Sequence, residues 1–125
     1  MLQSMSTDNC PFCRNNGLLN GKVIYASAQA YLIENSYFAG NFLIIPELHI
    51  TEVQGLPDTW WSEVKQLIAA LPDLSPDYNI SLNVGVLAGQ TQSHLHFWVV
   101  PRTTNTVAPG KGLIGLMKLL EDGKS

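Results

Sequence analysis

The sequence predicts an α+β domain in which an antiparallel meander sheet packs against one main helix, with a second helix near the C-terminus. Three observations carry this prediction. Short strand-like runs precede the clearest helical pattern, two alternating segments follow it, and a weaker helical pattern comes last. The 125 residues match the size of one domain, and a hydrophobic content of 46% excludes disorder as the main state. We therefore expect a single domain over residues 1–125, with residues 1–9 as a loose N-terminal tail.

The strands predicted before the helix are rich in β-branched and aromatic residues, and they cover residues 23–26, 30–33 and 42–45. The third run is apolar throughout and is stopped by Pro46. A strand without polar positions is typical of one that is covered on both faces. We therefore expect residues 42–45 to lie in the interior of the sheet.

The main helix is predicted to follow Pro57, with Asp58 or Thr59 as its N-cap and Glu63 near its positive end. Its buried face is indicated by apolar residues at helical spacing, which are Trp60, Val64, Leu67, Ile68 and Leu71. Pro72 prevents the helix from continuing far. The weaker C-terminal helix is predicted from Leu113, Leu116, Met117 and Leu120.

Two segments after the main helix alternate between apolar and polar residues, as strands do. Residues 80–86 predict a half-buried strand whose apolar side carries Ile80, Leu82, Val84 and Val86. Residues 94–100 predict a second strand, with Leu95, Phe97 and Val99 on one face and His94, His96 and Trp98 on the other. Both histidines of this segment therefore share a face.

Charge and hydropathy exclude two classes of partner. The net charge is −3, and no stretch concentrates lysine and arginine into a basic stripe, so long nucleic acid is not an expected partner. No apolar run reaches the roughly 20 residues that span a bilayer, and the first residues lack a basic, then apolar, leader pattern. We expect no membrane partner and a cytoplasmic location.

Two cysteines and three histidines are the residues most suited to chemistry. Cys10 and Cys13 are spaced as Cys-x-x-Cys, which in a reducing compartment indicates metal ligands or redox thiols. His94 and His96 follow a loop in which Gly85 and Gly89 permit close backbone approach and the polar residues Gln90, Thr91 and Ser93 supply donors. Such a loop can hold a compact anion, and an imidazole can attack phosphorus directly. The alternative is that the histidines are ordinary polar residues of a strand.

The segment from Gly89 to Arg102, GQTQSHLHFWVVPR, resembles the motif of the histidine triad (HIT) family of nucleotide hydrolases and transferases. In that motif three histidines alternate with hydrophobic residues after a Gly-Gln pair. Residues 42–49, FLIIPELH, are similar to the family's strand that leads into a Pro-x-x-His turn. Cys10-x-x-Cys13 resembles the cysteine pair that opens many bacterial members. The resemblance spans residues 10 to 102 and implies a HIT-like fold.

The resemblance also implies roles for individual residues. His96 takes the place of the nucleophile that attacks the α-phosphorus of nucleoside phosphoramidates or dinucleoside polyphosphates. Asn83, Gly89 and Thr91 match positions that hold the phosphate, and Gln90 lies beside them. Glu34 stands near the position that contacts the ribose hydroxyls. The implied partners are a small-molecule nucleotide and, as in the family, a second copy of the chain in a symmetric homodimer.

The third histidine position of the motif is occupied by Trp98. In the family this residue donates a hydrogen bond toward the phosphate or its leaving group. An indole N–H donates but carries no positive charge. Two functions follow as hypotheses: a nucleotide hydrolase or transferase that forms a nucleotidyl-His96 intermediate, and a nucleotide-binding or interaction module that has lost turnover.

Cys10, Cys13, His49 and His94 make up a Cys₂His₂ set, which is typical of structural zinc. Four protein ligands close the tetrahedron and leave no position for a catalytic water. The set also resembles the zinc site of cysteine-bearing family members, in which the first triad histidine is a ligand. A redox pair is the competing interpretation, but no parallel βαβ pattern surrounds the cysteines. Two unliganded thiols remain a further alternative.

Overall fold

The computed structural model describes residues 9–14, 16–35 and 40–103, and it shows one five-stranded antiparallel sheet with one main helix. The elements in chain order are β1 (Val23–Ala26), β2 (Ala30–Glu34), β3 (Phe42–Pro46), α1 (Trp60–Ala70), β4 (Tyr78–Leu82) and β5 (Phe97–Pro101). The strands lie in the order β1-β2-β3-β5-β4. The predicted α+β class is confirmed, and the structure adds that β5 lies between β3 and β4.

The centre of the sheet is buried on both faces, as the apolar run of β3 predicts. β2 and β3 pair over five residues, with Leu32 opposite Ile44 and Tyr31 opposite Ile45. One face packs against α1 in a cluster that contains Ala30, Leu32, Ile44, Trp60, Val64, Leu67, Leu71, Phe97 and Val99. The other face carries Tyr31, Ile33, Leu43 and Ile45, and Phe12, Leu19, Val23 and Trp98 pack against it. The N-terminal segment therefore covers the face opposite the helix.

Helix α1 begins at Trp60 and ends at Ala70, close to the predicted bounds. Thr59 is the N-cap residue, as one of the two alternatives predicted, but its side chain makes no capping hydrogen bond. Glu63 is buried and accepts a hydrogen bond of 2.8 Å from the backbone N–H of Gln29, just before β2. This contact fastens the first turn of the helix to the sheet.

The two alternating segments have bounds that differ from the prediction. β4 ends at Leu82, because Gly85 adopts a positive φ of 93° and residues 86–88 form a short 3₁₀ turn. β4 is also the sheet edge, and on its predicted half-buried face Ile80 is 39% exposed whereas Leu82 is half-buried and packs against the cluster that contains α1. β5 begins only at Phe97, because the N–H of Leu95 donates to the Ile50 carbonyl at 2.8 Å instead of to a neighbouring strand.

The predicted C-terminal helix over Leu113, Leu116, Met117 and Leu120 lies outside the described residues, as does most of the predicted N-terminal tail. Within the described ranges, no helix has the length and apolar content that crossing a membrane requires.

Candidate functional site

His96 lies in the segment that leads into β5, with 9% of its surface exposed. Its Nδ1 is 3.1 Å from the carbonyl oxygen of His94. A carbonyl only accepts hydrogen bonds, so Nδ1 carries the proton and Nε2 keeps a free lone pair. Burial lowers the pKa of the imidazole, which favours this neutral form. The ring of Phe12 lies 4.8 Å away, centroid to centroid.

A cavity of about 170 Å³ adjoins His96. Trp98 also lies in its wall, on the same face as His96, because successive side chains of an extended segment alternate. The polar groups in the wall are one hydroxyl and three amides, from Thr91, Asn20, Asn35 and Gln92. Phe12 and Leu43 contribute apolar surface. The arrangement places a neutral imidazole beside hydrogen-bond donors that can contact an anion.

The loop before His94 is shaped by one buried side chain, that of Gln90. Its Oε1 accepts from the N–H of Gly85 at 2.8 Å, and its Nε2 donates to the carbonyls of Gln92 at 2.8 Å and Ser93 at 3.2 Å. The side chain of Gln90 is therefore occupied within the loop, where it orients the backbone around Thr91. Gly89 has a φ of 97° and is exposed.

The predicted phosphate-binding residues occupy two places. Thr91 lies in the cavity wall with His96 and Trp98. Asn83 and Gly89 lie together at the other end of the loop, where the Asn83 amide donates to the Gly89 carbonyl at 3.5 Å. A methyl group added at Gly89 would lie 3.3 Å from Asn83 Nδ2, so the glycine permits this close approach.

The predicted metal ligands converge on one point. One ligand atom from each of Cys10, Cys13, His49 and His94 lies within 4.8 Å of the others. Cys10 and His94 are fully buried, and neither cysteine forms a disulfide. The residues come from the N-terminal segment, the loop after β3 and the segment before β5, so an ion here would join three distant parts of the chain.

The atoms of this cluster are arranged as metal ligands. The Nε2–H of His94 donates to the Pro46 carbonyl at 2.7 Å, so Nδ1 presents its lone pair to the thiols, 3.4 Å from Cys10 Sγ and 3.5 Å from Cys13 Sγ. His49 Nδ1 is 3.3 Å from Cys13 Sγ. Nitrogen and sulfur ligands on a tetrahedral zinc lie roughly 3.5 Å apart, so the spacing fits that ion.

Burial favours the neutral forms of the Cys13 thiol and the His94 imidazole. Burial raises the pKa of the Cys13 thiol to about 11, with the neighbouring Cys10 as a further cause. Burial lowers the pKa of His94 to about 4, so its imidazole is neutral, as a ligand must be. A buried thiolate needs a positive charge beside it. The donor set therefore fits a soft divalent ion.

Contacts near the cluster hold the N-terminal segment against the sheet. The Tyr31 hydroxyl donates to the Phe12 carbonyl, and Arg14 forms an ion pair with Glu47 in which Nε lies 2.9 Å from Oε1. The Arg14 guanidinium also lies 4.8 Å from the centroid of the Tyr31 ring. The segment that carries both cysteines is thereby placed next to the cavity as well.

Comparison with known proteins decides the family. A model of the HIT domain matches residues 19–105, which is more than half of the chain. The chain belongs to the HIT family. An uncharacterized HIT-like protein of Methanocaldococcus jannaschii is 35% identical over 101 residues, which cover 74% of this chain and 78% of that protein. An adenosine 5'-monophosphoramidase of Candida albicans is 24% identical over 120 residues, covering 83% and 77%.

Among solved structures, a Zn-bound histidine triad family protein from Mycobacterium smegmatis superposes with a TM-score of 0.64. It is 23% identical in sequence, and the match covers 96% of this chain and all of that one. This likeness shows that the sheet and helix described above form the HIT fold.

Within the HIT fold, the structure draws attention to asparagines that the sequence did not single out. Glu34, predicted near the ribose, is exposed at the end of β2 and accepts a hydrogen bond from Gly40 N–H at 3.1 Å. The next residue, Asn35, is buried and lies in the cavity wall, as does Asn20. The signal for Asn35 is its place directly after β2, next to the predicted ribose contact Glu34. Asn20 has no such signal, because only the fold brings it to the cavity.

The hydrogen bonds of Gln90 lead to a prediction about stability. Gln90→Ala is expected to lower the free energy of unfolding by about 1–3 kcal/mol, because the buried Gln90 side chain makes three hydrogen bonds to backbone groups of the loop and all three are lost. Urea denaturation measures this loss, and Gln54→Ala, at an exposed glutamine in a turn, is the matched control that should change little. Equal stability of the two variants would show that the Gln90 contacts do not hold the loop.

Proposed function

We propose that this HIT protein is a nucleotide-binding hydrolase or transferase that acts on the α-phosphorus of nucleoside phosphoramidates or dinucleoside polyphosphates. The observation that carries the proposal is the buried, neutral His96, whose Nδ1 proton is held by the His94 carbonyl beside a cavity lined with donors. A relative in Candida albicans named as an adenosine 5'-monophosphoramidase supports the choice of substrates.

The proposed reaction has two displacements at phosphorus. In the first, the Nε2 lone pair of His96 forms a bond to the α-phosphorus, and the leaving group departs with the electron pair of its own bond. An amine leaving group also takes up a proton from solvent as it departs. In the second, water attacks phosphorus and the electron pair of the P–N bond returns to Nε2. One water proton passes to solvent, and the nucleoside monophosphate is released. In a transferase, another nucleophile replaces the water.

The polar residues of the cavity have proposed roles in holding the substrate. The Thr91 hydroxyl and the amides of Asn35 and Gln92 are placed to donate to phosphate or ribose oxygens. Gln90 acts on this surface indirectly, since its side chain orients the loop that carries Thr91. We propose that Asn83 and Gly89 contribute to phosphate binding by shaping the end of the loop. Glu34, at the end of β2, is proposed to contact the ribose.

We propose that Cys10, Cys13, His49 and His94 hold a structural Zn²⁺. The ligand spacing and the Zn-bound Mycobacterium smegmatis relative support this ion. Such an ion supplies a positive charge that stabilises the thiolates and closes the site to water. Because the carbonyl of His94 accepts the Nδ1–H of His96, fixing His94 also fixes the orientation of the nucleophile.

We propose that two copies of the chain associate through the exposed edge formed by β4. β4 and the loop that follows it expose apolar side chains that a partner would bury, which are Tyr78 and Ile80 on the strand and Val84 and Val86 in the loop. Ile80→Asp is expected to convert a dimer to a monomer in sedimentation velocity, whereas Val53→Asp, at an exposed valine outside the edge, should leave the dimer intact. A monomeric wild-type protein at micromolar concentration would contradict this proposal.

The test of the proposed function is release of AMP from adenosine 5'-phosphoramidate and from diadenosine polyphosphates. We expect release from at least one substrate class, with dependence on His96. Nucleotide binding without any release would instead support the second candidate, a zinc-stabilised binding module. The observation that favours this second candidate is Trp98, which places an indole in the cavity wall where no ionisable group accompanies His96 among the described lining residues.

A further inference from the structure

The wall of the cavity contains a single titratable side chain among the residues that the structure describes, and that side chain is His96. The other polar groups in the described wall are amides, one hydroxyl and the indole N–H, from Asn20, Asn35, Gln92, Thr91 and Trp98. All of these groups donate hydrogen bonds, but none releases a proton near neutral pH. Once Nε2 is bonded to phosphorus and the Nδ1 proton is held by the His94 carbonyl, His96 has no proton to give to a leaving group.

We propose that this site is selective for leaving groups that depart from the α-phosphorus as stable anions, and that Trp98 determines this selectivity. The inference rests on the proposed function and narrows its substrate class. The favoured substrates are mixed anhydrides, in which the nucleoside monophosphate is joined to a carboxylate or to a second phosphate. The disfavoured substrates are phosphoramidates of alkyl amines.

The chemical reason lies in the first displacement. When the bond from phosphorus to oxygen breaks in an anhydride, the oxygen keeps the electron pair as a carboxylate or phosphate. The conjugate acids of these groups have pKa values of about 4 and about 6, so no proton is needed at pH 7. When the bond from phosphorus to an amine nitrogen breaks, the nitrogen must receive a proton as the bond breaks, because an amide anion is far too basic to leave. The proton must come from an acid in the site or slowly from solvent.

Trp98 occupies the position from which an acidic side chain could protonate the leaving group. It lies two residues after His96 on the same face, about 6.6 Å along an extended backbone, and both side chains line the cavity. Its register partners are Leu43 on β3 and Ser81 on β4, neither of which is an acid. Its indole lies in the wall with Phe12 and Leu43, and none of these three side chains is an acid. An imidazolium at the same position would supply a proton within reach of the departing atom.

The experiment compares three AMP derivatives as substrates: a mixed anhydride with a carboxylic acid, a diadenosine polyphosphate and a phosphoramidate of a primary alkyl amine. We expect kcat/KM of the wild type to be at least about 100-fold higher for an anhydride than for the amidate, since general acid catalysis is worth roughly 10²–10⁴. The two anhydrides distinguish a carboxylate from a phosphate leaving group. His96→Ala provides the background rate for each substrate.

Two variants test the role of Trp98. The substrates differ in intrinsic reactivity. The decisive value is therefore the change, from one variant to another, in the ratio of kcat/KM for the amidate to kcat/KM for the anhydride. Trp98→His is expected to raise this ratio by on the order of 100-fold, because it returns a general acid to the cavity. Trp98→Phe keeps the ring without the indole N–H, and it should leave the ratio close to that of the wild type.

The outcomes separate this inference from the proposed function. If the wild type releases AMP from the amidate as fast as from the anhydrides in a His96-dependent manner, or if a folded Trp98→His variant keeps the wild-type ratio, the inference is wrong and the proposed function stands. If no substrate gives His96-dependent AMP, both are wrong. If Trp98→His fails to fold, each wild-type rate is divided by the His96→Ala rate for the same substrate, which removes the intrinsic reactivity, and equal quotients for the amidate and the anhydrides would overturn the inference.

Discussion

The His96→Ala variant is expected to release AMP at least about 10⁴-fold more slowly than the wild-type protein, because loss of the nucleophile in a covalent mechanism removes the first chemical step. The fold should survive the change. Within the part of the chain that the structure describes, the His96 side chain makes one hydrogen bond, to the His94 carbonyl, and its ring lies 4.8 Å from that of Phe12. Stopped-flow or discontinuous AMP assays measure the rate, and thermal unfolding measures the fold.

Chemical rescue provides the control for this prediction. In His96→Gly, added imidazole can occupy the space of the lost side chain and attack phosphorus in its place. We expect partial recovery of AMP release with imidazole, and none in its absence. A His96→Ala rate within tenfold of the wild type would show that the reaction does not proceed through this residue.

The second large effect is expected from removal of a metal ligand. Cys10→Ser should abolish zinc binding and lower the melting temperature, because Cys10 is fully buried and its thiol faces the His94 imidazole at 3.4 Å. A structural zinc contributes on the order of 10 kcal/mol to a zinc-finger peptide. Here two hydrophobic clusters also stabilise the sheet. We therefore expect a smaller loss of about 3 kcal/mol, or roughly 10 °C in melting temperature.

A chelator distinguishes loss of the ion from loss of packing. Wild-type protein treated with a strong chelator should melt near the temperature of Cys10→Ser, and the variant itself should not respond to the chelator. Metal analysis of the purified wild-type protein should give one zinc per chain. Absence of zinc in the wild type, together with an unchanged melting temperature in Cys10→Ser, would contradict the proposed metal centre.

The elements that the sequence predicted best are those in which one local pattern decides the structure. The apolar run of β3 can only be buried, and the apolar spacing of α1 matches one helical face. The elements predicted less well depend on long-range pairing. The order β3-β5-β4 and the start of β5 at Phe97 are decided by partners distant in sequence, such as Ile50, whose carbonyl receives the Leu95 N–H. The alternation of apolar and polar residues within one segment gives no sign of such a contact.

The residues of the candidate site also fall into two groups, those that the sequence predicted and those that only the fold shows. Cysteine and histidine are rare in this chain, and their chemistry together with the resemblance to the HIT motif pointed to the metal cluster and to His96 before any contact was known. Asn20 and Asn35 are common residue types, and only the fold shows that they line the cavity. The role of Gln90 is similar. Its sequence position next to Gly89 indicated the phosphate loop, but the structure shows a side chain that bonds to the loop itself.

His94 and His96 lie two residues apart, and we propose that His94 binds a metal through Nδ1 whereas His96 bonds to phosphorus through Nε2. Mass spectrometry of enzyme quenched during turnover distinguishes the two roles. We expect one nucleotidyl group on the peptide that contains both histidines, with fragmentation placing it on His96, and no such group in His96→Ala. AMP release without any modified peptide, or a modification placed on His94, would show that His96 is not the nucleophile.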